Sequence, residues 1–264
     1  MDTVCREKMC EWSYRVCDHF AVEREIVAIA FSYLDRFTDR CTCDRTTFKL
    51  AAVTSLFMAN KIFNTNKIPL RRFIELSKGE FEKCDILEME ITILQTLAWQ
   101  VNPPTLHCFV EHLCAVLPSL FDESRLIICV YQRAIFLAEL ALYDSTFVEK
   151  KKPMVAVAAV LNAIEGLEEG VLTELKEEQF VQSIETSFGI SYDDDDLKRI
   201  RHRLWYVYSL TAQCRDDEVL PSGYNQLQEI SERSVKSNEN RINPMQLSPV
   251  CVIRTGVGSC HTKL

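Results

Sequence analysis

The sequence predicts an all-α protein made of two five-helix bundles in tandem, followed by a disordered C-terminal tail. Three observations predict it. The 264 residues include only seven glycines and eight prolines, so long stretches run without a helix breaker. Two segments, 45–63 and 153–165, are apolar nearly all the way round and rich in alanine, the pattern of a central helix wrapped by others. The chain also repeats. Ala30, Ala52, Val53 and Ala59 fall without a gap on Ala134, Ala156, Val157 and Ala163, an offset of 104 positions (134 − 30), which pairs the first five helices with the second five.

Helical periodicity marks ten segments, at about 3–19, 23–38, 45–63, 69–77, 80–99, 105–117, 123–143, 153–165, 174–187 and 193–213. Asp44 caps the third, with Thr47 in its first turn. Pro69 and Pro153 suit the first turns of the fourth and eighth, where a missing N–H costs nothing. Asp193 to Asp196 place negative charge at the start of the last, which complements the helix N-terminus. The junction between bundles is VNPPT, 101–105, because Pro103 and Pro104 cannot lie inside a continuing helix. These signals divide the chain into residues 1–101, 102–214 and a tail, 215–264, rich in Ser, Asn, Gly and Pro without apolar period.

Composition narrows the function. A hydrophobic content of 47% supports real cores. The net charge of −8 argues against a nucleic-acid binder. No run of 18 apolar residues and no basic-plus-apolar leader is present, so neither a membrane span nor a secretory signal is expected. The twelve cysteines mostly sit inside helical patterns, as reduced thiols of a nuclear or cytoplasmic protein. No P-loop, HExxH or GxSxG motif occurs, and Gly256-Val257-Gly258 lacks a preceding strand. Cys41 and Cys43 form a lone pair. His107, Cys108, His112 and Cys114 read as an amphipathic helix rather than a zinc site, which needs two further ligands. The basic runs Lys150–Lys152 and Lys198–Arg203 read as solvated faces, and Ser248-Pro249 is a minimal kinase site. No cofactor, no metal and no catalytic activity are expected.

Two charges do not fit their surroundings. Glu90 sits among Ile86, Leu87, Ile93 and Leu94 on a helix's apolar face. Lys61 ends another apolar helix, one turn after Phe57 and Met58. A buried charge needs a partner, since an unpaired one costs several kcal/mol, on the order of the whole margin of stability. The two either grip something outside the chain or pair only with each other, the lysine reaching for water from its helix end.

The segments AFSYLDRF (30–37), KLAAVTSLFMANK (49–61) and LEMEITILQTLAW (87–99) together resemble the cyclin box. Arg6, Asp35, Leu50, Lys61 and Glu90 carry the resemblance in identity and order. FLAELALYD (136–144) and PMVAVAAVLNA (153–163) resemble a second, C-terminal cyclin box, and EWSYRVCDHF (11–20) is closer to D-type than to mitotic cyclins. The resemblance implies tandem cyclin-like bundles. It implies that the first binds and activates a cyclin-dependent protein kinase through Lys61 and Glu90, which would contact the kinase's regulatory helix. Ile62, Ile91, Leu94, Trp99 and Val101 would pack beside them, and Trp99 has the character of a hot spot. Arg6 and Asp35 would form a buried ion pair.

Kinase substrates or inhibitors are further partners of such proteins, often docked through a patch that here reads Cys5, Lys8, Met9 and Trp12, with Lys49 where glutamine is usual. Lys8 replaces an apolar residue and Lys49 can only donate, which puts that docking in doubt. The alternatives are a double-cyclin-fold transcription factor, for which the basic surface and zinc ribbon are missing, and a helical scaffold that activates no kinase.

Overall fold

The computed structural model describes residues 3–115, 124–167 and 174–216. Its described residues form ten α-helices and no strand: α1 Thr3–His19, α2 Glu25–Arg40, α3 Arg45–Phe63, α4 Leu70–Leu76, α5 Lys83–Thr96, α6 Leu106–Cys114, α7 Ser124–Tyr143, α8 Lys152–Glu165, α9 Glu174–Phe188 and α10 Asp195–Asp216. The expected tail lies outside the described residues, except for its first two positions, which end α10. Contacts divide the chain into two units, Met1–Thr105 and Leu106–Leu264.

In the first unit α3 is the central helix. Every residue from Ala51 to Asn60 is buried, and α1, α2, α4 and α5 pack around it. Its start is fixed by Asp44, whose Oδ1 accepts the Thr47 N–H at 2.7 Å. Its end is fixed by Asn60, a buried amide that donates to the Ile68 carbonyl at 3.2 Å and accepts the Ile68 N–H at 3.3 Å. That exchange folds the following loop back onto the helix, while the last turn, Lys61 to Phe63, emerges into solvent. At the start of α5 the Asp85 carboxylate reaches back to the Glu82 N–H, 2.7 Å away, as a capping residue does. Residues 101–105 stay with this unit: Tyr33 donates to the Val101 carbonyl and Thr105 Oγ1 to Glu25 Oε1.

In the second unit α8 has the central place. Residues Val155 to Ala163 are all buried, and α6, α7 and α10 pack on them. Arg201 of α10 donates to Asn162 Oδ1 at 2.9 Å, and the Asn162 amide donates back to the Arg201 carbonyl at 3.0 Å. Asp144 accepts from Arg203 Nε at 2.8 Å and from the Thr146 N–H at 2.9 Å, which sets the 3-10 turn Ser145–Phe147. The Arg125–Tyr143 stretch of α7 is, by length and composition, apolar enough to cross a bilayer. In the structure it packs against α6, α8 and α10, with Val130, Ala134, Leu137, Leu140 and Ala141 in the core.

The offset of 104 overlays α1–α4 on α6–α9 in order and brings the end of α5 onto the start of α10. All eight residues of the repeat are buried, none more than 3% exposed. They are the small core positions that let neighbouring helices approach the centre of each bundle. The C-terminal end of α5 falls short of what its periodicity predicts. The pattern runs to 99, but α5 ends at Thr96, because Ala98 and Trp99 both take left-handed backbone conformations, φ 49° and 61°.

Candidate functional site

The site is built by the last turn of α3 and the outer face of α5. Lys61 Nζ lies 2.9 Å from Glu90 Oε1 and 3.2 Å from Oε2. The two ends of the pair differ: the lysine side chain is 51% exposed and the glutamate 11%. The ammonium also sits 5.6 Å from the Phe57 ring centroid, close enough for cation–π attraction. Glu90 is thus a buried carboxylate whose partner is half in water.

Apolar side chains next to the pair on α3 and α5, and beyond it in the turn after α5, are left uncovered. Ile62, Ile91 and Trp99 are 44%, 55% and 68% exposed. Leu94 and Val101 are half-buried. Leu87, Ile91 and Leu94 follow one another at four and three residues along α5, one stripe of a helix. Phe63, also exposed, joins Ile62 at the end of α3. Sequence reasoning missed it, although its place beside Ile62 after a buried helix was the available signal. Large apolar side chains left exposed serve no folding need, and where they adjoin they mark an interaction surface.

The turn after α5 holds the most exposed of them. The Trp99 N–H bonds the Leu94 carbonyl and the Ala98 N–H bonds that of Gln95, at 2.9 and 3.0 Å, the pattern that closes a helix C-terminus. Such closures ordinarily use glycine. Here two side-chain-bearing residues take the left-handed region, at a cost of roughly 1–2 kcal/mol each. Three side chains of α2 oppose that strain. Tyr33 donates to the Val101 carbonyl and Arg40 to that of Thr96, and Arg36 Nη2 donates to the Gln100 carbonyl at 3.0 Å. Burial pushes the Tyr33 phenol up to about 12, against an opposing pull from Arg36, so it stays a donor at neutral pH. Burial also lowers the Arg36 guanidinium. None of the three was singled out from sequence.

Arg6 and Asp35 meet inside the first unit. Arg6 Nε and Nη2 each donate to one Asp35 oxygen at 2.9 Å, a two-pronged contact. The arginine is 1% exposed and the aspartate 19%. Its guanidinium carbon lies 5.1 Å from the Phe31 ring centroid. Burial lowers the guanidinium's proton affinity, but the hydrogen bond and charge of Asp35 more than offset that, and the net shift is upward.

Met9 and Trp12 are half-buried on α1 and Lys8 is exposed. Lys49 is engaged by Glu80, 2.7 Å away. His112 Nδ1 is 2.6 Å from the Cys108 carbonyl, within its own helix, and burial pushes the Cys114 thiol up to about 12. Among the described residues no three His, Cys, Asp or Glu side chains gather as a metal site, and the cysteines from Cys5 to Cys129 are free thiols. Lys198 and Arg199 pair with Asp193 and Asp196 on the surface of α10, as on a solvated face.

The first unit is a five-helix bundle around a buried α3, with a half-exposed ion pair and several exposed apolar residues on α3, α5 and the turn after α5. Residues 1–102 match the family described as "Cyclin, N-terminal domain", and that part of the chain belongs to it. Rat "G1/S-specific cyclin-D1" is 28% identical over 165 residues, 62% of this chain and 55% of that protein. The human protein of the same name is 25% identical over 162 residues, 61% and 54%. The chain thus spans about 55% of the length of the curated relatives it matches. Among solved structures, a viral cyclin from herpesvirus saimiri shares the fold with a TM-score of 0.63 and 16% identity, over 78% of this chain and 86% of that one. A chain of the CAK complex of Chaetomium thermophilum, bound to ATP-gamma-S, has a TM-score of 0.57 and 16% identity, over 91% and 81%.

Proposed function

We propose that the protein is the regulatory subunit of a cyclin-dependent protein kinase, which it binds and activates in cell-cycle control, in the nucleus and cytoplasm. It carries no chemistry of its own. The observation that carries the reading is that Ile62 and Ile91, the chain neighbours of the half-open Lys61–Glu90 pair, stand exposed, as does Trp99 in the turn after α5. Leu94 and Val101, both half-buried, add further apolar surface on α5 and after its turn. A lysine with three donors and a glutamate with two acceptor oxygens suit the carbonyls and N–H groups at a partner helix's end, and apolar residues packed by a partner would exclude water from them. Binding one conformation of the kinase better than the other shifts its equilibrium toward the active one. That is all a regulatory subunit needs to do, because the kinase's own Lys–Glu pair must be in place for transfer.

The test is purification of the full chain from its native cells, followed by assay of the eluate for kinase activity toward a histone substrate. A co-purifying kinase that is active with the chain and idle without it supports the reading. A kinase that binds and stays idle favours the scaffold, and a pull-down without any kinase overturns the proposal.

A further inference from the structure

We propose that Tyr33, Arg36 and Arg40 are positioning residues that hold the turn after α5, so that Trp99 stands ready as the anchor for a protein partner. The inference rests on the kinase-binding reading for the partner's identity, but not for the positioning itself. The three residues lie three and four apart on α2, hence on one face. Each donates to a different backbone carbonyl of one turn: Val101, Gln100 and Thr96. Carbonyls at a helix C-terminus lack partners within the helix, and two arginines there also complement its negative end. Arg36 is itself held, its Nε donating to the Ser32 carbonyl at 3.0 Å, with its guanidinium carbon 5.8 Å from the Tyr33 ring centroid.

What the clamp maintains is a conformation the local sequence disfavours. Ala98 and Trp99 are consecutive left-handed residues, neither of them glycine. The product of that conformation is an indole that is 68% exposed. Such strain persists only where surrounding contacts over-determine it. An aromatic anchor fixed before binding loses less conformational freedom when it docks.

The experiment uses the full chain with Trp12→Phe and Trp205→Phe, leaving Trp99 as its one tryptophan. Steady-state anisotropy and acrylamide quenching of Trp99 are read in the parent, in Tyr33→Phe with Arg36→Met, and in that pair with Ala98→Gly added. Affinity for a panel of purified cyclin-dependent kinase catalytic subunits is read alongside. The expected result is lower anisotropy and faster quenching in the clamp variant, with kinase affinity down about tenfold. Ala98→Gly, which relieves the strain at that position, restores part of both. Removing the clamp in a Trp99→Ala background then changes affinity less than twofold, whereas a general loss of folding lowers it equally in both backgrounds. Unchanged anisotropy and quenching in the clamp variant overturn the proposal. Loosened Trp99 in a chain that binds none of the kinases supports the positioning and overturns the kinase reading alone.

Discussion

Lys61 and Glu90 hold each other across the α3–α5 packing, and they do so asymmetrically. One ammonium reaches both carboxylate oxygens, at 2.9 and 3.2 Å, from a side chain half in water to one nearly closed off. The asymmetry predicts unequal variants. In Glu90→Ala the lysine swings to solvent and little stability is lost. In Lys61→Ala the carboxylate keeps its burial and loses its partner, so the melt should fall further. Both should weaken kinase binding, by roughly tenfold or more, since a hydrogen bond to a charged group is worth about 1.5–3 kcal/mol. Thermal melts and titration calorimetry on the two variants check this, and unchanged affinity in both would remove the pair from the interface.

Arg6 and Asp35 belong to folding rather than to binding. Breaking a buried pair by removing one partner costs about 3–5 kcal/mol, and here the guanidinium is the more deeply buried ion. Asp35→Ala strands it against Phe31, so this variant should lose about 3 kcal/mol or more in urea unfolding. Arg6→Ala leaves a carboxylate that water can reach, together with a cavity. The double variant should recover part of the sum. Full additivity in the cycle would show that the two do not act as a pair.

The parts of this fold that were legible in the sequence are those with local causes. The Asp44 cap, the two alanine-rich central helices and the small residues repeating at offset 104 are all written within a few residues of where they act. The end of α5 was not legible, and the reason is distance. Ala98-Trp99 carries no glycine to announce a stop, so the apolar period reads straight through it. What stabilises the stop is Tyr33, Arg36 and Arg40, more than fifty residues earlier in the chain. Asn60, which folds the loop at Ile68, and Asn162, which holds Arg201, were silent for a related reason. A buried amide in an apolar helix reads as a blemish until its partner is known. The pairing of Arg6 with Asp35 likewise has no local signal, and only the family resemblance suggested it.

The strain at Trp99 predicts that stability and binding trade against each other there. Trp99→Gly removes the left-handed penalty and little packing, because the side chain is mostly exposed. Glycine's extra freedom in the unfolded chain takes back about 0.4–1 kcal/mol of the gain. The variant should therefore melt at the same temperature or slightly higher, while binding a kinase about thirtyfold less tightly, as for loss of a hot spot of roughly 2 kcal/mol. Ile91→Ser should weaken binding with no change in the melt. A large drop in melting temperature for Trp99→Gly would mean that the indole serves the fold.

Alkaline unfolding offers a separate reading of each unit. Burial raises the Tyr33 phenol from 10.0 to about 12, so in the folded state it keeps a proton that the unfolded chain gives up. That contribution is complete below pH 10 and is lost as pH climbs from 10 toward about 12. Cys114, in the second unit, is raised from 9.0 to about 12 by burial first and Glu111 second, and its contribution starts to fade a full unit earlier. Urea melts between pH 8 and 11.5 should therefore show a decline beginning near 9 that Cys114→Ala flattens. A steeper decline above 10 should be flattened by Tyr33→Phe. At pH 8 the Tyr33→Phe protein should be the less stable one, having lost its bond to the Val101 carbonyl, and its deficit should shrink above pH 10, because only the parent then has a buried phenol to ionise. A deficit that stays constant to pH 11.5 would show that Tyr33 ionises as easily folded as unfolded.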